Sequence, residues 1–71
     1  MKLDQTNTEI LELLSKGLTA KEISEKTSIS IPMIKWRTRE LRIATGSKNN
    51  VELSVWFSNY QKIATSSKEK K

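Results

Sequence analysis

Hydrophobic residues recur along most of this chain at spacings of three and four, the period of an amphipathic helix. Four such stretches are separated by short polar segments that contain helix-capping residues or glycine. No segment has a convincing strand pattern. The pattern therefore predicts an all-α fold with four helices.

The start of the first helix has two candidate caps. Thr6 and Glu9 have the spacing of a capping box, in which the threonine hydroxyl accepts from the Glu9 amide and the glutamate reaches back. Asp4 is an alternative cap two residues earlier. The helix is expected over about residues 5–16 and is followed by Gly17, which is placed for a C-terminal stop.

The second and third helices also begin at good caps. Thr19 and Glu22 form a second capping box, which predicts a short second helix. Ser30 is a suitable N-cap for the third helix, and Pro32 fits its first turn, where a missing N–H removes no hydrogen bond. The third helix is expected to end near residue 44, before the sequence TGS.

A fourth helix is predicted to begin at the asparagine pair 49–50. One of its faces carries apolar residues at the i, i+3, i+4 and i+7 positions, namely Leu53, Trp56, Phe57 and Tyr60. Residues 1–64 are expected to form the domain, and residues 65–71 a disordered basic tail. Most of the core is expected to come from Leu11, Leu14, Ile23, Ile29, Ile34, Leu41 and Leu53.

The third helix has two different sides when its residues are placed at 100° intervals on a helical wheel. The core-facing side is predicted to hold Ile34, Thr38, Leu41 and Thr45. The opposite side holds Pro32, Trp36, Arg39 and Ile43, with Lys35 and Arg42 on one flank. Trp36 is therefore expected to point outward among cations, unless it folds back over a neighbouring helix or the register differs.

The net charge of +5 is concentrated in the same region. Residues 29–48 carry five Lys or Arg against Glu40 alone, which gives a net charge of +4 there. Such a segment suggests a polyanionic partner, most often nucleic acid, although a solvated charged surface is the plain alternative.

Composition argues against several other classes of protein. The chain has no cysteine and no histidine, and it has no glycine-rich loop that could bind phosphate. We therefore expect no enzyme activity, no cofactor, no metal site and no evident small-molecule ligand. The chain also lacks a signal peptide and a membrane-spanning apolar run of about 18 residues, so a cytoplasmic location is expected.

Two short helices joined by a tight turn, the second with a basic outer face, form a helix-turn-helix arrangement whose second helix enters the major groove. The chain resembles the LuxR-type (GerE-like) DNA-binding domain over about residues 3–60, without a gap. The direct matches are Glu9, Leu11, Leu13, Gly17, Lys21, Glu22, Ile23, Ile29, Ser30, Lys35, Glu52 and Leu53.

The resemblance implies a four-helix LuxR/GerE-type helix-turn-helix domain that binds specific double-stranded DNA and regulates transcription. It implies base contacts from Lys35, Trp36 and Arg39. Phosphate contacts are expected from Thr19, Lys21, Arg37 and Arg42.

Some residues depart from the family pattern. Met33 stands where threonine is frequent, Thr27 where leucine is usual, and the family's Lys-Leu pair is Ala44-Thr45 here. Trp36 is also bulkier than the usual residue. The altered outer face leaves a second possibility open, a protein-interaction module that keeps the fold and turns Trp36 toward a protein partner.

The fourth helix carries a second set of apolar residues, Val51 and Val55, on a different side from its main stripe. The LuxR-type resemblance implies pairing through this helix, so we expect both valines at a homodimer interface on DNA. The alternative is that they are two scattered surface valines.

Overall fold

The computed structural model describes the backbone of residues 3–69 and the side chains of residues 3–63. It contains four helices, which are α1 (Gln5–Ser15), α2 (Ala20–Thr27), α3 (Ile31–Thr45) and α4 (Asn50–Glu69). Every other residue between 3 and 69 lies in a turn or connection, and none lies in a strand. The predicted all-α, four-helix fold is confirmed.

Helix α1 is capped by Asp4 and not by Thr6. The Oδ1 atom of Asp4 accepts a hydrogen bond from the Asn7 amide at 2.7 Å, and the Thr8 hydroxyl donates to the Asp4 carbonyl at 2.9 Å. A carboxylate caps at least as well as a hydroxyl, and its negative charge interacts favourably with the positive end of the helix dipole. The capping box predicted at Thr6 is therefore wrong, and the alternative cap is confirmed.

Helices α2 and α3 begin as predicted. Thr19 accepts from the Glu22 amide at 3.2 Å, and the Glu22 carboxylate accepts from the Thr19 amide at 2.8 Å, which completes the capping box. Ser30 accepts from the Met33 amide at 3.3 Å, and Pro32 lies in the first turn. The start of each helix in the helix-turn-helix is thus set by a local hydrogen bond.

Helix α4 is longer than the sequence pattern suggested. Its backbone is helical as far as Glu69, because no glycine or proline follows Gly46 to interrupt it. It therefore reaches into the tail predicted for residues 65–71. The side chains of that tail, and residues 70 and 71 altogether, lie outside the described residues.

Two apolar clusters hold the helices together. One joins α1, α3 and α4 and consists of Leu11, Leu41, Leu53 and Phe57. The other joins α1, α2 and α3 and consists of Ile10, Ile23 and Ile34. Helices α1 and α3 contribute to both clusters, so contacts at two points along their length fix their relative placement.

The predicted core was partly wrong. Leu14 and Ile29 are only half-buried, whereas Ile10 and Phe57 are fully buried. Helix α1 packs on two sides at once, so the adjacent residues Ile10 and Leu11 each fill a different cluster. Leu14 lies beside both clusters near the end of the helix, where the covering is incomplete.

Candidate nucleic-acid interface

The packing of α3 determines which of its residues face outward. Ile34, Thr38 and Leu41 are at most 5% exposed. The buried Thr38 hydroxyl donates to the Lys35 carbonyl at 3.0 Å, so it needs no partner from another helix. The core-facing side predicted from the helical wheel is confirmed for these three residues, whereas Thr45, the fourth, is half-buried.

The opposite side of α3 is exposed throughout and carries Pro32, Trp36, Arg39 and Ile43. Trp36 is 56% exposed and Ile43 is 66% exposed. Trp36 therefore points outward, as the wheel predicted, and does not fold into the core. The result is a helix face that exposes an aromatic ring, an aliphatic side chain and the cation Arg39.

Lys35 and Arg39 are exposed cations beside Trp36. Among the residues with described side chains, the Lys35 ammonium and the Arg39 guanidinium have no hydrogen-bond or ion-pair partner. The side-chain bonds of cations found there belong to Arg37 and Arg42. Their donors are therefore available to an acceptor outside the chain. All three residues predicted to contact bases are thus exposed on α3.

A cleft of about 240 Å³ lies beside the Lys35 flank of α3, and all four helices contribute residues to its lining. Ala20 lines it at the start of α2, Lys35 and Arg42 line it from α3, and Asn50 lines it from α4. The side chains next to Ala20 in sequence are Thr19 and Lys21, two of the predicted phosphate contacts, and both are exposed. The start of α2 and the cationic flank of α3 are thus neighbours.

Thr19 can serve as a cap and a phosphate contact together. Its Oγ1 atom accepts from the Glu22 amide, which leaves the hydroxyl hydrogen free to donate. Arg42 is also partly engaged, because its Nη1 atom donates to Oδ1 of Asn50 at 2.6 Å. This bond holds the half-buried Arg42 at the edge of the cleft, with its other N–H groups still available.

Arg37 lies on the other flank of α3, and its surroundings differ from the prediction. Its Nη1 atom donates to Oδ1 of Asn7 at 3.0 Å and lies 3.7 Å from Oδ2 of Asp4. Its Nε atom is buried and has no hydrogen-bond partner among the described residues. The guanidinium predicted to face a phosphate therefore faces the start of α1.

Asn7 and Asp4 were not predicted as partners of Arg37. Asn7 is 30 residues away along the chain, so no local pattern links the two side chains. One signal was available on the helical wheel, where Arg37 lies about 60° from the core-facing direction of Ile34 and closer to it than Lys35. That position indicates contact with a neighbouring helix.

The outer side of α4 is exposed as predicted. Val51 is 73% exposed and Val55 is 57% exposed, whereas Leu53 and Phe57 on the opposite side are buried. Tyr60 departs from the predicted apolar stripe because it is 42% exposed and stacks on Trp56, with ring centroids 5.3 Å apart. Pairing through the two valines stays a prediction.

The described side chains supply cations, hydrogen-bond donors and apolar surface. Within residues 3–63 no three His, Cys, Asp or Glu residues lie close enough together to hold a metal ion. None of the described helices is both long enough and apolar enough to cross a membrane. The chemistry on this surface suits recognition of an anionic partner.

Comparison with known families supports this interpretation. Residues 3–42 match the winged helix-turn-helix DNA-binding family, and this segment is 40 of the 71 residues of the chain. It contains α1, α2 and the part of α3 that carries Lys35, Arg39 and Arg42. No curated protein and no solved structure matches the chain. Because the match covers more than half of the chain, the chain belongs to the winged helix-turn-helix DNA-binding family.

Proposed function

We propose that this domain regulates transcription by binding specific sequences of double-stranded DNA, with the outer face of α3 in the major groove. The supporting observation is that Trp36 and Arg39 are exposed on the side of α3 away from the core, and that Lys35 is exposed on its flank. The major groove admits an α-helix. Lys and Arg can donate to the O6 and N7 acceptors of guanine, and an apolar group can contact the thymine methyl.

Contacts to the DNA backbone would come from the neighbouring cleft. Thr19 and Lys21 at the start of α2, and Arg42 at the edge of α3, flank the base-reading residues and can hold phosphates. The net +4 of residues 29–48 would attract DNA from a distance. We propose a binding function without catalysis. We expect the domain to act in the cytoplasm, where it would meet the DNA.

Within the helix-turn-helix class we propose the LuxR/GerE type. A fourth helix follows α3 after the short connection 46–49, and no strand occurs between residues 3 and 69, which agrees with the architecture that the resemblance implies. That type pairs through its last helix. The exposed Val51 and Val55 support the same arrangement here.

Selection from a random duplex library, followed by affinity measurements over a range of salt concentrations, tests the function. We expect a defined sequence to be enriched, and log K to fall linearly with log salt by about 0.9 for each phosphate neutralised. Recovery of random sequences, together with binding that does not respond to salt, would contradict the proposal.

One observation favours a second candidate, a protein-binding module. Trp36 and Ile43 expose a substantial apolar surface on the outer face of α3, with Met33 nearby at 43% exposed. Trp36→Ala and Lys21→Ala separate the two candidates. DNA binding requires both residues, whereas docking of a protein on the apolar residues requires Trp36 and tolerates the loss of Lys21.

A further inference from the structure

Arg37 and Arg39 point in nearly opposite directions although only one residue separates them. Consecutive residues of an α-helix are about 100° apart, so these two side chains diverge by about 160°. Arg39 is exposed on the outer face. Arg37 is turned toward the protein and has a side chain that is 27% exposed.

The donors of Arg37 are directed at the beginning of α1. Nη1 donates to the Asn7 amide oxygen at 3.0 Å and lies 3.7 Å from the carboxylate of Asp4. Asp4 in turn accepts from the Asn7 backbone amide at 2.7 Å, so the residue that caps α1 also contacts α3. We name these three residues, Asp4, Asn7 and Arg37, the clasp.

The clasp supplies a directional contact that the apolar core lacks. Arg37 lies between Ile34, which belongs to one apolar cluster, and Leu41, which belongs to the other. Apolar contacts are non-directional and tolerate a small rotation of a helix about its axis. A planar guanidinium donating to a fixed amide oxygen tolerates much less. The clasp therefore opposes rotation of α3 about its own axis.

We infer, on the basis of the proposed function, that Arg37 is a positioning residue that sets the rotation of α3 and thereby directs Lys35, Trp36 and Arg39 at the bases. In this role it stays on α1 in the complex and neutralises no phosphate. The inference replaces the phosphate contact expected from the sequence.

Arg37→Lys and Asn7→Ala test the inference in the full chain. Arg37→Lys keeps the positive charge, which suffices for a phosphate, but loses the planar fork. Asn7→Ala removes the acceptor without changing any charge. The measurement is the ratio of affinities for a selected and a random duplex, at several salt concentrations and well below the melting temperature of each variant.

If Arg37 positions α3, both variants lower the affinity ratio by about three- to tenfold, the size of one net hydrogen-bond contribution, and leave the salt slope unchanged. The double variant shows no further loss, because the two residues act as one unit. Lys21→Ala is the matched control, and it should lower the salt slope by about 0.9 at an unchanged ratio. An unchanged ratio of the two affinities in Arg37→Lys or Asn7→Ala overturns the inference. This includes the result in which lost stability lowers the affinity for both duplexes equally.

A measurement without DNA separates this inference from the proposed function. Residual dipolar couplings of the α3 backbone amides report its rotation relative to α1. We expect Asn7→Ala to rotate α3 and Lys21→Ala to leave it in place. Unchanged couplings in Asn7→Ala overturn the inference. If the wild-type chain selects no DNA sequence, the proposed function fails while the couplings still decide the role of Arg37.

Discussion

At the scale of single residues, Trp36 is the least expected feature of the outer face. An indole that is 56% exposed leaves apolar surface in contact with water. Its burial by a partner would contribute roughly 2–3 kcal/mol, at about 25 cal/mol per Å² over the exposed half of a tryptophan. This is similar to the contribution of a good base contact, so in the proposed complex Trp36 and Arg39 would each influence which DNA sequence is bound.

Arg39→Ala tests whether this cation reads a base. The substitution should relax sequence preference at one position and cost about 1–3 kcal/mol, since Arg39 is exposed and has no internal partner among the described residues. Binding measurements with the selected duplex and its single-base variants check this. Lys21→Ala serves as the comparison and should weaken binding to all duplexes alike. An Arg39→Ala protein that retains the wild-type preference at every position would show that Arg39 reads no base.

The direction of Trp36 could be predicted because it depends on the period of one helix. The buried residues Ile34, Thr38 and Leu41 fix the core side of α3, and the outward side follows from geometry. The partner of Arg37 could not be predicted in the same way. It depends on how the start of α1 packs beside α3, which brings Asn7 close from 30 residues away.

At the scale of helices, the boundaries follow local hydrogen bonds, which a sequence displays well. Thr19 and Ser30 could be predicted as caps because a cap accepts a hydrogen bond from an amide only three residues further along the chain. The choice between Asp4 and Thr6 was harder, since both are good caps. Asp4 has the additional contact with Arg37, a tertiary interaction that favours the earlier start.

Helices α2 and α3 both end at a residue with positive φ, but the two ends differ in backbone strain. Ser28 follows α2 with φ of 64°, and Gly46 follows α3 with φ of 74°. Both angles are left-handed, a region that costs a residue with a side chain about 1–2 kcal/mol and costs glycine little. A Cβ at Gly46 would meet no atom within 4 Å, so replacement there is disfavoured by the backbone conformation alone.

Ser28→Gly and Gly46→Ala form a matched pair that tests this difference. Ser28→Gly should raise the free energy of unfolding by up to about 1 kcal/mol, the relief of strain being partly offset by a more flexible unfolded chain. Gly46→Ala should lower it by about 1 kcal/mol. In a domain of this size, 1 kcal/mol corresponds to a shift of about 4–8 °C in Tm. Thermal unfolding of both variants gives the result, and a lower Tm for Ser28→Gly would show that its φ carries no strain.

At the scale of the whole molecule, the core is two small clusters that share α1 and α3. Which residues fill them was only partly predictable. Helical spacing places the apolar residues Ile10, Leu11 and Leu14 on one face of α1. How deeply each is buried depends on the two directions from which neighbouring helices cover α1. Phe57 was predicted on the inner stripe of α4, and its complete burial completes the cluster around Leu41 and Leu53.

The shape of the molecule leaves one side of α4 without cover. The domain measures 39 × 24 × 20 Å, and a helix of 20 residues alone spans about 30 Å. Leu53 and Phe57 turn one side of α4 to the core, so Val51 and Val55 face away from it. A second copy of the chain would cover both valines if the two helices packed against each other about a two-fold axis, which would place two α3 helices on two DNA half-sites.

Val55→Glu tests this pairing. A carboxylate buried without a partner costs several kcal/mol, so the substitution should raise the Kd of the dimer by more than about 100-fold. Gln61→Glu is the matched control, because it adds the same charge to an exposed position of the same helix, about 120° away from Val55. Sedimentation on a selected duplex should give two chains per duplex for the wild type and for Gln61→Glu, and one for Val55→Glu. One wild-type chain per duplex, unchanged by Val55→Glu, would leave the two valines as ordinary surface residues and confine recognition to a single α3.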